Sequence, residues 1–314
     1  MSTPSIAVVV LNWNGLEDTL ACLASLYRSE QPNVFIYVLD NGSANEEASV
    51  LREKFPEARV LIEPENTGFC RGNNIALQRA IADGMEYLLL LNNDTIVPAD
   101  MIGHLLDVFK KIPDVGALCP LVLEYPGVDT ISFSRATWDH KTAKFLLKTP
   151  GDTREDLEKK DYHTTAFACG CCLFTSAKIW QEMGGFDERY FAYYEEAEWC
   201  VRLAKKGYKS YMTPRTIVYH RVARNTPGVV SIYLMTRNRL LWMKSSLSFG
   251  KRLKSYPYLM KELLWHLFHT WGITKGYYTR ASSQAVVRGW KDYLGGRFGK
   301  WNKKTEQMLF KKNS

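Results

Sequence analysis

The chain has 314 residues, of which 46% are hydrophobic and 24% charged. That balance excludes an intrinsically disordered chain, and no Gly-x-y or heptad pattern argues for a fibre. The net charge of +8 is unevenly held: residues 226–314 carry 17 Lys/Arg against three acidic residues, a net +14, and residues 1–225 carry 24 against 30, a net −6. A mildly acidic body with a strongly basic tail predicts two jobs for two regions, with a domain over 1–225 and a second region over 226–314. No run of apolar residues is long enough for a spanning helix, and the start of the chain has no basic stretch resembling a signal peptide. The expected location is therefore cytoplasmic.

In chain order, Ile6–Leu11 reads as a buried strand that stops at Asn12-Trp13-Asn14-Gly15, followed by an amphipathic helix to about Arg28. Val34–Leu39 is a second strand, ending at Asp40-Asn41-Gly42-Ser43. Arg59–Ile62 is a third, ending at Glu63-Pro64-Glu65-Asn66. A helix is predicted from about Arg71 to Ala82, then a fourth strand, Tyr87–Leu91, that ends at Asn92-Asn93-Asp94. Continuous apolar strands alternating with helices indicate an α/β protein whose sheet is covered on both faces. Ligands in such folds bind at the carboxyl ends of the strands, where this chain places Asn, Asp or Glu each time.

Beyond residue 115 the pattern loosens into strands punctuated by Pro and Gly, with an exposed loop expected at Asp152–Asp161. A strand is predicted at Ala166–Thr175, a helix at Ser176–Met183, a helix at Ala197–Lys206, and strands at Lys209–Met212 and Thr216–His220. The seven cysteines lack a second ligand pair for zinc and read as packed, reduced thiols. In the tail, Met260, Leu263, Leu264, Leu267, Phe268 and Trp271 share one helical face, and Glu262, His266 and His269 line the other. Trp290, Tyr293, Phe298, Trp301 and Phe310 are interleaved with Lys and Arg from there on. This combination predicts association with an anionic membrane surface, against the alternative of a helical cap packed on the body. No nucleic-acid-binding motif accompanies the charge.

The chemistry-bearing candidates follow from the strand ends. Asp94 after the fourth strand can hold Mg²⁺ or Mn²⁺ bridging a diphosphate, because hard oxygen ligands suit those ions. Three carboxylates within four positions, Glu195, Glu196 and Glu198, repel one another and favour a raised pKa suited to a general base. Tyr190, Phe191, Tyr193 and Tyr194 are placed either to stack on a sugar ring or to fill a core.

Val8–Gly15, Leu39–Ser43, Glu65–Asn74, Leu91–Thr95, Gly184–Glu188, Tyr194–Arg202 and His220, in that order, resemble the motif series of glycosyltransferase family 2, and most of all its rhamnosyltransferase-type branch. Tyr233–Lys244 and Gly289–Lys300 resemble the tails of such enzymes. The resemblance implies a GT-A fold, a Rossmann-like mixed sheet with helices on both faces, and inverting, metal-dependent transfer from a nucleotide-diphospho-sugar. By the same resemblance Asp40 contacts the nucleotide base, and Asn12, Asn66, Gly68, Arg71 and Asn74 belong to the donor site. Asn92 and Asp94 match the ends of the Asp-x-Asp motif, with Asn93 between them. Asp94 and His220 would then be the metal site for Mg²⁺ or Mn²⁺. Glu196 matches the catalytic base, with Glu195 beside it, and Tyr193, Tyr194, Glu198 and Trp199 fall on the acceptor side.

The expected donor is dTDP- or UDP-linked, rhamnose being the candidate sugar. The expected acceptor is a cell-surface polysaccharide or lipid-linked glycan, met by a peripheral protein at the inner face of the cell membrane. Two departures stand out. The Glu-Asp-x-Asp motif of the family is Glu195-Glu196-Ala197-Glu198 here, and Asn92 replaces the first Asp of Asp-x-Asp. They motivate an alternative, a catalytically weak nucleotide-sugar-binding subunit of a membrane glycan-assembly complex. A sugar-1-phosphate nucleotidyltransferase lacks its Gly-rich signature after Val10, and no Gly-x-Gly-x-x-Gly supports a dehydrogenase.

Overall fold

The computed structural model describes residues 3–126, 130–221, 228–270 and 279–309. The chain forms two compact units. Unit 1 comprises Met1–Thr137, Leu146–Phe186 and Trp199–Val222, and unit 2 comprises Trp138–Phe145, Asp187–Glu198 and Ala223–Ser314.

Unit 1 begins with alternating elements: β1 (Ile6–Asn12), α1 (Leu16–Leu26), β2 (Val34–Asn41), α2 (Glu47–Lys54), β3 (Arg59–Glu63), α3 (Gly68–Ala82) and β4 (Tyr87–Asn92). β1 runs parallel to β2 and β4, and β2 parallel to β3. Ile6 through Val10 are fully buried, so these strands have no solvent face, which is why they read as unbroken apolar runs. The unit continues with β5 (Thr95–Ile96), α4 (Met101–Lys111), β6 (Val115–Glu124) and β7 (Ile131–Phe133). In chain order there follows a ribbon of β8 (Thr137–Asp139) and β9 (Lys144–Leu146), which lies in unit 2 from Trp138 to Phe145. Then come α5 (Arg154–Glu158), β10 (His163–Thr165), β11 (Cys172–Ser176) and α6 (Ala177–Met183) in unit 1. α7 (Glu195–Lys205) belongs to unit 2 up to Glu198 and to unit 1 from Trp199, and β12 (Lys209–His220) is in unit 1. The sheet order is β10-β12-β6-β11-β4-β1-β2-β3, with β5 paired to β12 and β7 to β6. β11 is antiparallel to both β4 and β6, which makes the sheet mixed.

Four elements differ from the sequence expectation, the first being the strand expected at Ala166–Thr175, which begins only at Cys172. The region after residue 115 is not loose: β6 is a ten-residue strand, buried almost throughout. Its Pro120 lies opposite Thr213, where the register of β12 shifts between Thr213 and Ile217, so the missing amide hydrogen falls at an irregularity. For the same reason the two strands expected at 209–212 and 216–220 are one strand interrupted at Pro214. The expected loop at 152–161 contains α5, capped by Thr153, whose hydroxyl accepts from the Asp156 amide at 3.1 Å.

Unit 2 is mainly helical, with α8 (Val229–Ser246), α9 (Phe249–Thr270), α10 (Arg280–Leu294) and α11 (Lys303–Leu309). α8 and α10 approach closely at Gly289, where a Cβ would come within 2.9 Å of the Tyr233 carbonyl oxygen. Beside that crossing the buried Asp292 accepts from Tyr233 Oη at 2.9 Å, Arg288 Nε at 3.0 Å and Arg297 Nε at 2.9 Å. These bonds outweigh burial and hold its pKa below the usual carboxylate value.

α9 turns its polar residues inward. Ser255 and His266 are buried, and Glu262 pairs with Arg239 and with Lys144. Met260, Leu264 and Phe268 remain 41–47% exposed, as does Leu253 at 50%. Trp271 and Phe310, expected to contribute to the apolar face and the aromatic series, lie outside the described residues.

Candidate active site

The polar residues predicted at the strand ends of unit 1 fall into three connected groups. The first lies at β1 and β2, where Asn12 pairs in register with Asp40. Asn12 Nδ2 donates to Asp40 Oδ1 at 3.0 Å and to Glu47 Oε2 at 2.8 Å, and its Oδ1 accepts from Thr19 Oγ1 at 2.6 Å. Ser43 Oγ also donates to Asp40. Asn12 has no exposed surface, so it stands behind the wall and orients Asp40 instead of lining the wall itself.

The second group is organised by Asn41, which the sequence reading did not single out. Its Oδ1 accepts from the Thr67 amide at 3.0 Å and from Thr67 Oγ1 at 2.8 Å, and its Nδ2 reaches the Gly68 carbonyl at 3.2 Å and Asn66 Oδ1 at 3.3 Å. Asn41 therefore fixes the loop that opens α3. Gly42, at φ +74°, lets that loop close in, since a Cβ there would meet the Glu65 backbone at 2.5 Å. Arg71 is exposed on the first turn of α3. Asn74 is elsewhere: it is buried and clasps the Phe186 backbone, donating to the carbonyl at 2.9 Å and accepting from the amide at 2.8 Å.

The third group is brought together by a single strand pairing. β5 and β12 register His220 against Thr95, which sets the imidazole beside Asp94. His220 Nε2 lies 3.1 Å from Asp94 Oδ1 and 3.5 Å from Asn92 Nδ2. Burial alone would lower the imidazole pKa, but the Asp94 carboxylate outweighs it and holds the pKa above the ordinary value. Asn93 turns away, donating to Thr19 Oγ1 at 2.9 Å.

Asp94 Oδ1 is buried yet makes no hydrogen bond in good geometry. An orphaned carboxylate oxygen next to an imidazole nitrogen suits a divalent cation. Among the described residues no set of three or more His, Cys, Asp or Glu converges on a metal position. A cation held here would take Asp94 and His220 from the protein and leave its other positions open to phosphate oxygens.

Unit 2 holds the glutamates. Glu195 is 5% exposed, and Glu196, at the same helix start, also has a buried oxygen without a partner, as does Glu195. Burial raises both pKa values, and the negative charge of Glu196 pushes Glu195 further, well above the ordinary carboxylate value. Glu196 is offset by the amides of residues 196 and 197 in the first helical turn, which favour its ionised form. Both carboxyls are therefore held above the ordinary carboxylate range, Glu195 the more strongly of the two.

Tyr194 packs its ring at 5.7 Å from Phe145 and 6.4 Å from Trp242, and Trp138 lies 4.4 Å from Trp242. Burial pushes the Tyr194 hydroxyl up to about 12, with Arg239 opposing and Glu196 and Glu262 adding to the shift. Trp138 Nε1, Trp242 Nε1 and Arg239 Nε are buried without hydrogen-bond partners. Tyr193 is exposed, and its hydroxyl lies 2.9 Å from Ser231 Oγ. Glu198 is buried, its amide donating to the Tyr194 carbonyl at 2.9 Å.

Trp199 corrects an expectation. It is fully buried in unit 1, donates Nε1 to the Gly184 carbonyl at 3.0 Å, and packs on Trp180 and Phe186. It is a core residue with no face left for an acceptor.

A mixed sheet flanked by helices, with polar residues at its strand ends, is the GT-A fold of glycosyltransferases. Residues 5–184 match the model of glycosyl transferase family 2, and the chain belongs to that family. Over 244 residues it is 28% identical to N-acetylglucosaminyl-diphospho-decaprenol L-rhamnosyltransferase of Mycobacterium tuberculosis, covering 71% of this chain and 78% of the relative. It is 22% identical to the low-salt glycan biosynthesis hexosyltransferase Agl10 of Haloferax volcanii over 82% of this chain and 81% of that one. The fold is shared with GalNAc-T7 solved with UDP, GalNAc and Mn²⁺, at a TM-score of 0.60 and 16% identity over 87% of this chain and 59% of that one. It is shared also with the mannosyltransferase PcManGT from Pyrobaculum calidifontis in complex with GDP-Man and Mn²⁺, at 0.55 and 15% identity over 95% and 89%.

Proposed function

We propose that the protein is an inverting glycosyltransferase that moves a sugar, rhamnose being the candidate, from a dTDP- or UDP-linked donor to a hydroxyl of a glycan or lipid-linked acceptor. The observation that carries this reading is the glutamate pair at the start of α7, each carboxyl with a buried oxygen free of hydrogen bonds and each with its pKa raised toward that of a general base. A carboxylate so placed removes the proton from the acceptor hydroxyl as that oxygen attacks the anomeric carbon. The bond between that carbon and the diphosphate breaks on the opposite side, and the configuration inverts. Asp40 and the loop set by Asn41 would hold the nucleoside, and Asp94 and His220 would hold Mg²⁺ or Mn²⁺. When bound, that cation offsets charge on the departing nucleoside diphosphate.

The acceptor reading is supported by the M. tuberculosis relative, whose name describes a sugar carried on a diphospho-lipid. Tyr194 and Trp138, both half-buried, suit stacking on a sugar, with the buried Trp242 packed against them. The outward apolar residues of α9, flanked by Lys254 and Lys261, favour seating at an anionic bilayer surface at the inner face of the cell membrane. No helix among the described residues is long and apolar enough to cross a membrane.

The test is release of free nucleotide from a panel of nucleotide-sugars with Mg²⁺ or Mn²⁺, against EDTA, with lipid-linked acceptors added. Cation-dependent release from one donor, lost in Asp94→Ala, is the expected result. Nucleotide binding with no release from any donor would instead favour the binding-subunit reading.

A further inference from the structure

The segment that leads into α7 follows an unusual path. Phe191, Tyr193 and Tyr194 have φ values of 65°, 72° and 75°, in the left-handed region that glycine takes freely and aromatic residues avoid. Each such residue costs on the order of 1–2 kcal/mol, so three within four positions persist only where the surroundings impose them.

The imposing groups are two consecutive residues of α8. Asn238 Nδ2 lies within donating distance of three loop carbonyls, those of Tyr190 at 2.8 Å, Ala192 at 2.7 Å and Tyr193 at 2.9 Å. Its Oδ1 accepts from Arg237 Nε at 3.0 Å, which fixes which end of the amide faces the loop. Arg237 Nη2 donates to the Tyr190 carbonyl at 3.0 Å, and its Nη1 to the Gly299 carbonyl at 2.7 Å. Gly299 in turn donates its amide to the Arg189 carbonyl at 2.8 Å. Both side chains have no exposed surface.

A buried cation and a buried amide in mid-helix are costly choices if filling a core were the only requirement. Their hydrogens are directed at the loop backbone, whose left-handed turns rotate the carbonyls of Tyr190, Ala192 and Tyr193 toward α8. The loop ends at Tyr194, whose carbonyl accepts from the Glu198 amide and so begins the helix that presents Glu195 and Glu196.

We propose that Arg237 and Asn238 are positioning residues for sugar transfer: by clamping the backbone of residues 190–193 they hold its left-handed path and set where the first turn of α7 places the glutamate pair. The inference rests on the reading of Glu196 as the base. Neither residue touches substrate, and neither resides on the element whose direction it sets. Relaxation of even one left-handed residue swings the peptide plane ahead of Glu195, and a displacement of about 1 Å at a base lowers turnover on the order of 100-fold.

The experiment compares Asn238→Asp and Asn238→Ser with the parent, measuring kcat, acceptor KM, donor affinity and the folded fraction. Asn238→Asp keeps the oxygen that accepts from Arg237 and removes both hydrogens that residue 238 aims at the loop, leaving that of Arg237 on the Tyr190 carbonyl. Asn238→Ser keeps one donor. The expected result is a kcat per folded molecule reduced ~10- to 100-fold in Asn238→Asp and less in Asn238→Ser, with donor affinity unchanged. A role confined to stability would lower the folded fraction and leave kcat per folded molecule at the parent value, and that result overturns the proposal.

Should both variants fail to fold, amide hydrogen exchange over residues 189–196 of the unaltered protein decides. Protection matching that of α8 supports the clamp, and exchange at the rate of a free peptide overturns it. Glu196→Gln run in parallel separates the two ideas. If it retains full turnover the base assignment fails, and if it loses turnover while the Asn238 variants keep theirs, only the clamp fails.

Discussion

The two units handle polar groups in opposite ways. In unit 1 the strand-end residues are satisfied by one another: Asn12 serves Asp40, Glu47 and Thr19, and Asn41 serves Asn66, Thr67 and Gly68. The one orphaned oxygen in those groups is on Asp94, where a cation is expected. In unit 2 the polar groups are left under tension. Two carboxyl groups share burial, buried indole N–H groups and arginine Nε atoms, those of Trp138, Trp242 and Arg239 among them, make no hydrogen bond, and three aromatic residues stand in left-handed conformations. A binding wall can be complete before its ligand arrives, because its work is to present a fixed shape. A base must be held in a state that water and relaxation would otherwise remove, so its surroundings carry an unfavourable cost.

That contrast is broken most severely at Glu196. Glu196→Gln retains volume and removes the carboxylate, so transfer is expected to fall by about 10²–10⁴-fold with donor affinity unchanged, measured by nucleotide release and by donor titration. A loss of donor affinity of the same size would place Glu196 with the binding wall and erase the distinction. A smaller effect is expected on the outer face of α9. Met260→Glu with Leu264→Glu puts two charges on residues already exposed, so folding is retained while co-sedimentation with anionic vesicles falls several-fold. Release of nucleotide in detergent solution should be unaffected. Vesicle binding equal to the parent's would assign that apolar face to another occupant.

Much of unit 1 was legible because its signals are local. An apolar run that stops at Asn12, Asp40 or Asn92 marks both a buried strand and the end at which ligands bind, and the structure extends those strands by only a residue or two. Asn41 was hidden since its partners lie 25 to 27 positions away and nothing distinguishes it from a turn residue. Glu47 was passed over because its partner Asn12 is 35 residues distant. Unit 2 resists reading for a deeper reason. Its helices bury polar residues, Arg237, Asn238, His266 and Asp292 among them, and turn Met260 and Leu264 outward, so apolar periodicity points away from the interior. Trp199 shows the converse: the family resemblance set it on the acceptor side, yet one helical turn along α7 carries the side chain into the core of unit 1.

The finest test of the contrast is thermodynamic and uses Glu195. Its pKa in the folded protein is raised, first by burial and then by the charge on Glu196, above the value of about 4.3 expected in the unfolded chain. The folded state therefore keeps a proton that the unfolded state releases. The stability tied to that proton is fully present below the unfolded pKa and is lost as pH rises toward the folded one. Gln resembles the protonated form and does not titrate. Glu195→Gln is thus expected to melt near the parent at pH 4.5 and above it at pH 8. Thermal unfolding of both proteins across that range measures the difference directly. A gap that stays constant with pH would mean that burial beside Glu196 does not raise the Glu195 pKa, and the tension ascribed to the pair would be absent.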